Sequence, residues 1–148
     1  VNRFMVSGTR LLGVCGHRDG RRNPCAVAES HRAYLAAVMR MYVHHHGAGG
    51  TMLELWHGDA PGADRMAGEY WAAFSLGPIH AVPANWAELG HRAGPVRNKL
   101  LVARMPDLLL AFPYDGRSPG TLDAIRQAQD AGVPTKIFPV GLVCPEAR

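Results

Sequence analysis

The chain has 148 residues, of which 47% are hydrophobic, with 17 Gly, 11 Pro and a formal net charge of +4. That length and apolar share fit one domain with a substantial core and many turns, and they exclude a second domain of ordinary size. Apolar runs are short and broken by Arg, His or Gly, so no segment reads as a membrane span or a secretory signal, and a cytoplasmic location is expected.

In chain order, residues 1–9 carry little pattern and are expected to form a loose leader, with a domain over 10–138 and a tail over 139–148. Strand one is expected at Arg10–Cys15, delivering the loop Gly16-His17-Arg18-Asp19, in the way an α/β protein presents its first ligand loop. A rival register is Phe4–Ser7 leading into Gly8-Thr9-Arg10; the later one leaves a shorter gap before the next helix and is preferred. Asn23 and Pro24 then read as an N-cap and a first helical residue, and Val27, His31, Leu35, Val38 and Tyr42 recur at helical spacing up to Gly47. The run His44-His45-His46 points to different sides of that helix, so it does not converge on a metal, and cations suit a helix C-terminus.

Strand two, Thr51–Trp56, runs into His57-Gly58-Asp59-Ala60-Pro61-Gly62-Ala63-Asp64. Two glycines, a proline and two carboxylates between a strand and a helix describe a tight turn with free backbone N–H groups at a helix start, a site for an anion or a ribose. The plain alternative is a connecting turn in which Asp59 caps the helix and Gly62 lets the chain bend. The helix Pro61–Leu76 carries a stripe of Ala63, Met66, Ala67, Tyr70, Trp71 and Phe74 that reads as core, and Gly77 ends it. Strand three is Pro78–Val82. After Asn85-Trp86 and Gly90, Pro95 is expected to open a helix reaching Met105, with Arg97 and Asn98 in its first turn. A cation there opposes the helix dipole, which points either to a bound anion or to pairing with a carboxylate such as Asp64 or Asp123.

Strand four, Asp107–Phe112, is a continuous apolar run expected of a strand buried on both faces. It leads through Pro113–Thr121 into a helix over Leu122–Ala131, with Leu122, Ile125 and Ala128 inward, then Gly132, Pro134 and strand five at Thr135–Phe138. Strands alternating with helices predict an α/β, Rossmann-like three-layer sandwich with a mostly parallel five-stranded sheet of order 3-2-1-4-5. Ligands of such sheets bind where the chain reverses direction, between strands one and four. The Gly16–Asp19, His57–Asp64, Gly94–Asn98 and Gly120–Asp123 segments are therefore expected to share one pocket.

Side-chain inventory adds limits. Cys15, Cys25 and Cys144 are odd in number and lack CxxC spacing, so they read as reduced thiols, Cys15 buried, with no disulfide or zinc site. The 16 basic residues are 14 Arg and 2 Lys. Arginine suits bidentate phosphate contact, but the arginines are scattered; function is assigned only to those inside motifs.

Gly16-His17-Arg18-Asp19, His57-Gly58 with Gly62-Ala63-Asp64, Asn85-Trp86, Gly90, Ala93-Gly94-Pro95 with Arg97-Asn98, Asp107, and Gly120-Thr121 with Asp123 occur in that order. This set resembles the YspA-type, YpsA-related family of the SLOG superfamily over roughly residues 10 to 138. The resemblance implies a Rossmann-like fold and a pocket for a nucleotide or nucleotide-derived ligand. The superfamily includes the LOG phosphoribohydrolases, whose third-helix arginine aligns with Arg97 and whose Pro-Gly-Gly-x-Gly-Thr loop aligns with Ser118–Thr121, where the full glycine run is missing. Their catalytic glutamate falls on Ala124, and Asp123 lies one residue away, about 100° around a helix.

The expected function is binding of a nucleotide or nucleotide-derived ligand as a sensor or carrier. Gly58, Gly62, Gly120 and Thr121 would cradle a phosphate, Arg18 and Arg97 would neutralise it, Asp64 or Asp123 would accept a ribose hydroxyl, and Gly16, His17, His57 and Asn98 would complete the pocket. The alternative is hydrolysis of the N-glycosidic bond of a nucleoside 5′-monophosphate, with Asp123, Asp64 and Arg97 as catalytic candidates, since an oxocarbenium-like centre needs a carboxylate. DNA binding, in the manner of the DprA branch, rests on basicity and ranks third. No metal or other cofactor is expected; a homodimer is expected from related folds.

Overall fold

The computed structural model of the chain describes residues 2–7, 15–16, 22–23, 26–60, 62–113 and 119–139. Its first strand, β1 (Asn2–Ser7), is built on the uninterrupted apolar triplet Phe4-Met5-Val6, each member at most 1% exposed. This corrects both the strand expected at Arg10–Cys15 and the loose leader expected over 1–9. Cys15–Gly16 (β2) instead pairs antiparallel with Arg22–Asn23 (β3), apart from the main sheet. The physical reason is burial on both faces. A central strand needs consecutive apolar residues, and Arg10 to Cys15 begins with a charge and is interrupted by Gly13, whereas Phe4 to Val6 is not.

β1 lies between β4 (Leu53–His57) and β6 (Leu108–Ala111), with β5 (Ile79–Ala81) and β7 (Thr135–Ile137) at the edges. All four pairings are parallel, in registers such as Val6 opposite His57 and opposite Leu110. The order β5-β4-β1-β6-β7 is the expected 3-2-1-4-5 arrangement when the strands of this sheet alone are counted.

Side chains of successive strand residues point to opposite faces, and the two cores follow that alternation. Phe4, Val6, Leu53, Leu55, Leu108 and Leu110 pack with α1 (Ala26–His46) and α2 (Ala63–Ala73) through Leu35, Met39, Met66 and Trp71. Met5, Leu109 and Ala111 face the other way. They meet α4 (Ala93–Ala103) and α5 (Pro119–Asp130) through Leu101, Val102, Ala124 and Ile125. Each large side chain so buried stabilises the fold by about 1.5–3 kcal/mol. Between β5 and α4 lie a short helix, α3 (Trp86–Leu89), and a 3-10 turn at Gly90–Arg92.

Three helix boundaries differ from those the pattern predicts, and each moves a side chain. α2 stops at Ala73, so Phe74 leaves the stripe and is 63% exposed. α4 begins at Ala93 because the 3-10 turn feeds straight into it; Pro95 is then its third residue, where the N–H has no intrahelical partner to lose. Arg97 consequently sits in the second turn, not the first. α5 begins at Pro119 and buries Thr121, Ala124, Ile125 and Ala128; Leu122, expected inward, lies beside that stripe and is 49% exposed. Among the described residues no helix is long and apolar enough to cross a membrane. Asn23, expected to cap the first helix, belongs instead to β3, and α1 starts at Ala26; Pro24, Cys25, Cys144, the Cys15 side chain, and residues 140–148 lie outside what is described.

Candidate functional site

Parallel strands put the loops that follow them along one edge of the sheet. Beyond the ends of β4 and β5, a cavity of about 340 Å³ is lined by Gly58, Asp59, Ala60, Arg65, Pro83, Ala84, Trp86 and Arg97. It lies two strand positions from the expected crevice between β1 and β6, toward the β5 edge of the sheet. It is framed by the β4–α2 loop, the β5–α3 loop and α4.

The β4–α2 loop is held from inside. Asp64, in the first turn of α2 and 3% exposed, accepts hydrogen bonds through Oδ2 from the backbone N–H of Gly58 at 2.9 Å and of Ala60 at 3.3 Å. His57 Nδ1 accepts the Asp59 N–H at 3.0 Å. The N–H groups expected to face an anion are therefore occupied by the protein's own side chains, and the amide cradle expected at this loop is not formed by Gly58, Asp59 or Ala60. The alternative role for Asp59, a helix cap, is also replaced. Asp59 adopts φ 54° and pairs with Arg65 at 3.3 Å, while the N-cap position is taken by Gly62 at φ 108°.

Strand alternation explains His57. It shares a face with Leu53 and Leu55, is 5% exposed, and turns under α2, where Gly68 leaves room: a Cβ there would lie 3.3 Å from His57 Nε2. Burial lowers its pKa below the usual 6.5; Arg65 and Arg97 push the same way and Asp59 opposes them. A neutral ring whose Nδ1 accepts a hydrogen bond carries its proton on Nε2. His57 is a pin for the loop and does not line the cavity.

Arg97 reaches the cavity wall from α4. It is 6% exposed; Nη1 donates to the Gly58 carbonyl at 2.6 Å and Nε donates to Asn98 Oδ1 at 3.0 Å. A Cβ on Gly58 would stand 2.1 Å from Nη1, so this approach requires glycine. Both acceptors are neutral, and among the described residues no ion pair includes Arg97. The pairing with Asp64 or Asp123 weighed from the sequence is thus replaced by bonds to a carbonyl and an amide.

Behind Arg97 the network continues away from the cavity. Asn98 Nδ2 donates to the Gly120 carbonyl and to Asp123 Oδ2, each at 3.0 Å. Asp123 Oδ2 also accepts from Gln127 Nε2 at 2.8 Å, and Oδ1 from Arg126 at 2.7 Å. Burial pushes the Asp123 carboxyl up, but the hydrogen bonds from Asn98, Gln127 and Arg126, with the Arg126 charge, outweigh it and hold the pKa below the usual carboxylate range. Thr121 is fully buried, and its Oγ1 has no hydrogen-bond partner among the described residues.

Of the residues named from the sequence, Gly58 and Arg97 line the cavity. His57, Asp64, Asn98, Gly120 and Asp123 form its hydrogen-bonded support, while Gly62 caps α2. Gly16 belongs to β2, and His17 and Arg18 lie outside the described residues. Sequence reasoning missed Asp59, Arg65 and Trp86 as lining residues. For Trp86 a signal existed: an aromatic directly after a capping Asn, in a loop that follows a strand. Among the described residues no group of three or more His, Cys, Asp or Glu could hold a metal ion.

No family model matches the chain. No solved structure matches it. Among curated proteins, the Gene 61 protein of Mycobacterium phage D29 is 42% identical over 89 residues, an alignment that covers 55% of this chain and 68% of the phage protein.

Proposed function

We propose that this chain, which belongs to the family of the Gene 61 protein of Mycobacterium phage D29, binds the phosphate of a nucleotide or nucleotide-derived ligand, as a sensor or carrier. The observation that carries this reading is Arg97: a buried guanidinium on a cavity wall whose two bonded acceptors are both neutral. Removing such a charge from water costs several kcal/mol unless an opposite charge compensates it, and a bound phosphate is that charge. The cavity, at about 340 Å³, sits at the small end of the roughly 300–1,000 Å³ usual for ligand sites. The resemblance to the SLOG superfamily points to the same ligand class.

The arrangement of the carboxylates favours binding over hydrolysis. Asp64 is committed to two backbone N–H groups and Asp123 to three side-chain donors that keep it anionic. Neither of these two lines the cavity, the carboxylate that does, Asp59, is paired with Arg65 at 3.3 Å, and the position aligned with the LOG glutamate is the buried Ala124.

The test is mass spectrometry of small molecules released from the denatured protein, together with incubation of the native protein with nucleoside monophosphates. An intact co-purified nucleotide is the expected result. Arg97→Met should then weaken phosphate binding about 10- to 100-fold, the usual effect of losing a hydrogen bond to a charged group. Release of free base, abolished in Asp123→Asn or Asp64→Asn, would replace this reading with N-glycosidic hydrolysis. Steeply salt-dependent binding of DNA would replace it with nucleic-acid binding.

A further inference from the structure

We infer that Trp86 is the platform on which the base of the ligand stacks, which makes the ligand a single nucleoside phosphate with an aromatic base; the inference rests on the phosphate reading of Arg97. The other two tryptophans are used by the protein. Trp71 is fully buried in the core, and Trp56 is stacked on His80 at 4.0 Å with Arg104 5.1 Å from its ring. Trp86 lines the same cavity as Arg97, is 59% exposed, and has no ring partner among the described residues.

Its position is set by local structure. Asn85 caps α3, its Oδ1 accepting the Glu88 N–H at 3.3 Å and its Nδ2 donating to the Glu88 carboxylate at 2.7 Å. This two-way cap fixes the turn that carries the indole. The edge of the six-membered ring rests over Gly94, where a Cβ would lie 3.3 Å from Cη2. Gly94 and Arg97 are three residues apart on α4, neighbours on one helix face. The indole that rests on Gly94 and the guanidinium that reaches the Gly58 carbonyl thus come from one face of α4 and its cover, and both line the one cavity. Base-on-aromatic stacking tolerates every base because each has a π face.

The test compares AMP with ribose 5-phosphate, which keeps the phosphate and lacks the base. By calorimetry, wild-type protein should bind AMP more tightly than ribose 5-phosphate. Trp86→Ala should weaken AMP about 5- to 150-fold, the range for losing one stacked base, while Trp86→Phe restores most of the affinity. The loss is expected for AMP and not for ribose 5-phosphate, and circular dichroism confirms that the exposed-site variants fold. AMP affinity unchanged in Trp86→Ala overturns the platform, as does an equal loss for both ligands. A change in oligomeric state with AMP affinity retained also overturns it, assigning Trp86 to a protein contact. Equal wild-type affinity for the two ligands removes the platform and leaves the phosphate site standing. Failure of both to bind removes the phosphate reading and the platform with it.

Discussion

At the scale of single residues, the site depends on two close approaches. Gly58 lets Arg97 reach its carbonyl, and the clearance for a Cβ is 2.1 Å. Gly58→Ala should therefore displace the guanidinium, weaken phosphate binding as strongly as Arg97→Met does, and cost about 1–3 kcal/mol of stability, the usual penalty of overpacking; calorimetry and denaturant unfolding measure the two effects. The second approach is His57 beneath α2. Its pKa is lowered in the fold, so the unfolded chain binds the proton more readily, and stability rises with pH. The contribution is complete above the ordinary value of 6.5 and is lost as pH falls from there through the folded pKa. The slope is at most about 1.4 kcal/mol per pH unit for one proton. Protonation also places an N–H on Nδ1 against the Asp59 N–H, which loosens the loop. Unfolding free energies from pH 7.5 down to 5 should show this slope in the wild type and a flattened one in His57→Gln.

At the scale of elements, the informative contact is between α4 and α5, where Asn98 and Gln127 converge on Asp123 while Gln127 also bonds the Pro95 carbonyl at 3.1 Å. The Asp123 carboxylate ties the two helices together. Asp123→Asn should reduce stability by about 1–3 kcal/mol through donors left without an acceptor. Because the folded pKa of Asp123 is depressed, its contribution is present above the unfolded carboxylate range and disappears as pH falls through the folded value. The variant should lose that part of the acid dependence and keep nucleotide binding within a few fold, since Asp123 does not line the cavity; a hydrolase would lose nearly all turnover. The packing of α4 on α5 brings Asn98 to Gly120 and Asp123, a facing that apolar spacing along either helix does not specify.

At the scale of the whole molecule, β1 is the central strand. It pairs with both β4 and β6, and its alternating side chains enter both cores. A chain lacking residues 1–7 should therefore not fold, giving a disordered circular dichroism spectrum and no cooperative transition. If those residues were a loose leader, the shortened chain would keep its transition midpoint. For the same reason Met5→Ala should cost about 2–5 kcal/mol.

The α/β class, the strand order and the approximate place of four of the five main-sheet strands were readable from the sequence, because apolar runs, helical spacing and Gly or Pro punctuation are local signals. The motif residues His57, Gly58, Asp64, Arg97, Asn98, Gly120 and Asp123 were also identifiable as a group, because parallel strands bring their following loops to one edge. The register of the first strand was not local: Phe4–Val6 and Arg10–Cys15 both read as strands, and burial against helices on both faces selects between them. Nor were the roles within the group. A sequence shows that Asp64 and Asp123 are carboxylates near glycines; only packing shows that Asp64 bonds the loop N–H groups and Asp123 joins two helices. Those bonds leave Arg97 with neutral acceptors at a cavity wall, with Trp86 beside it. Hydrogen-bond partners and solvent exposure are properties of assembled elements, and they separate the cavity from the network that supports it.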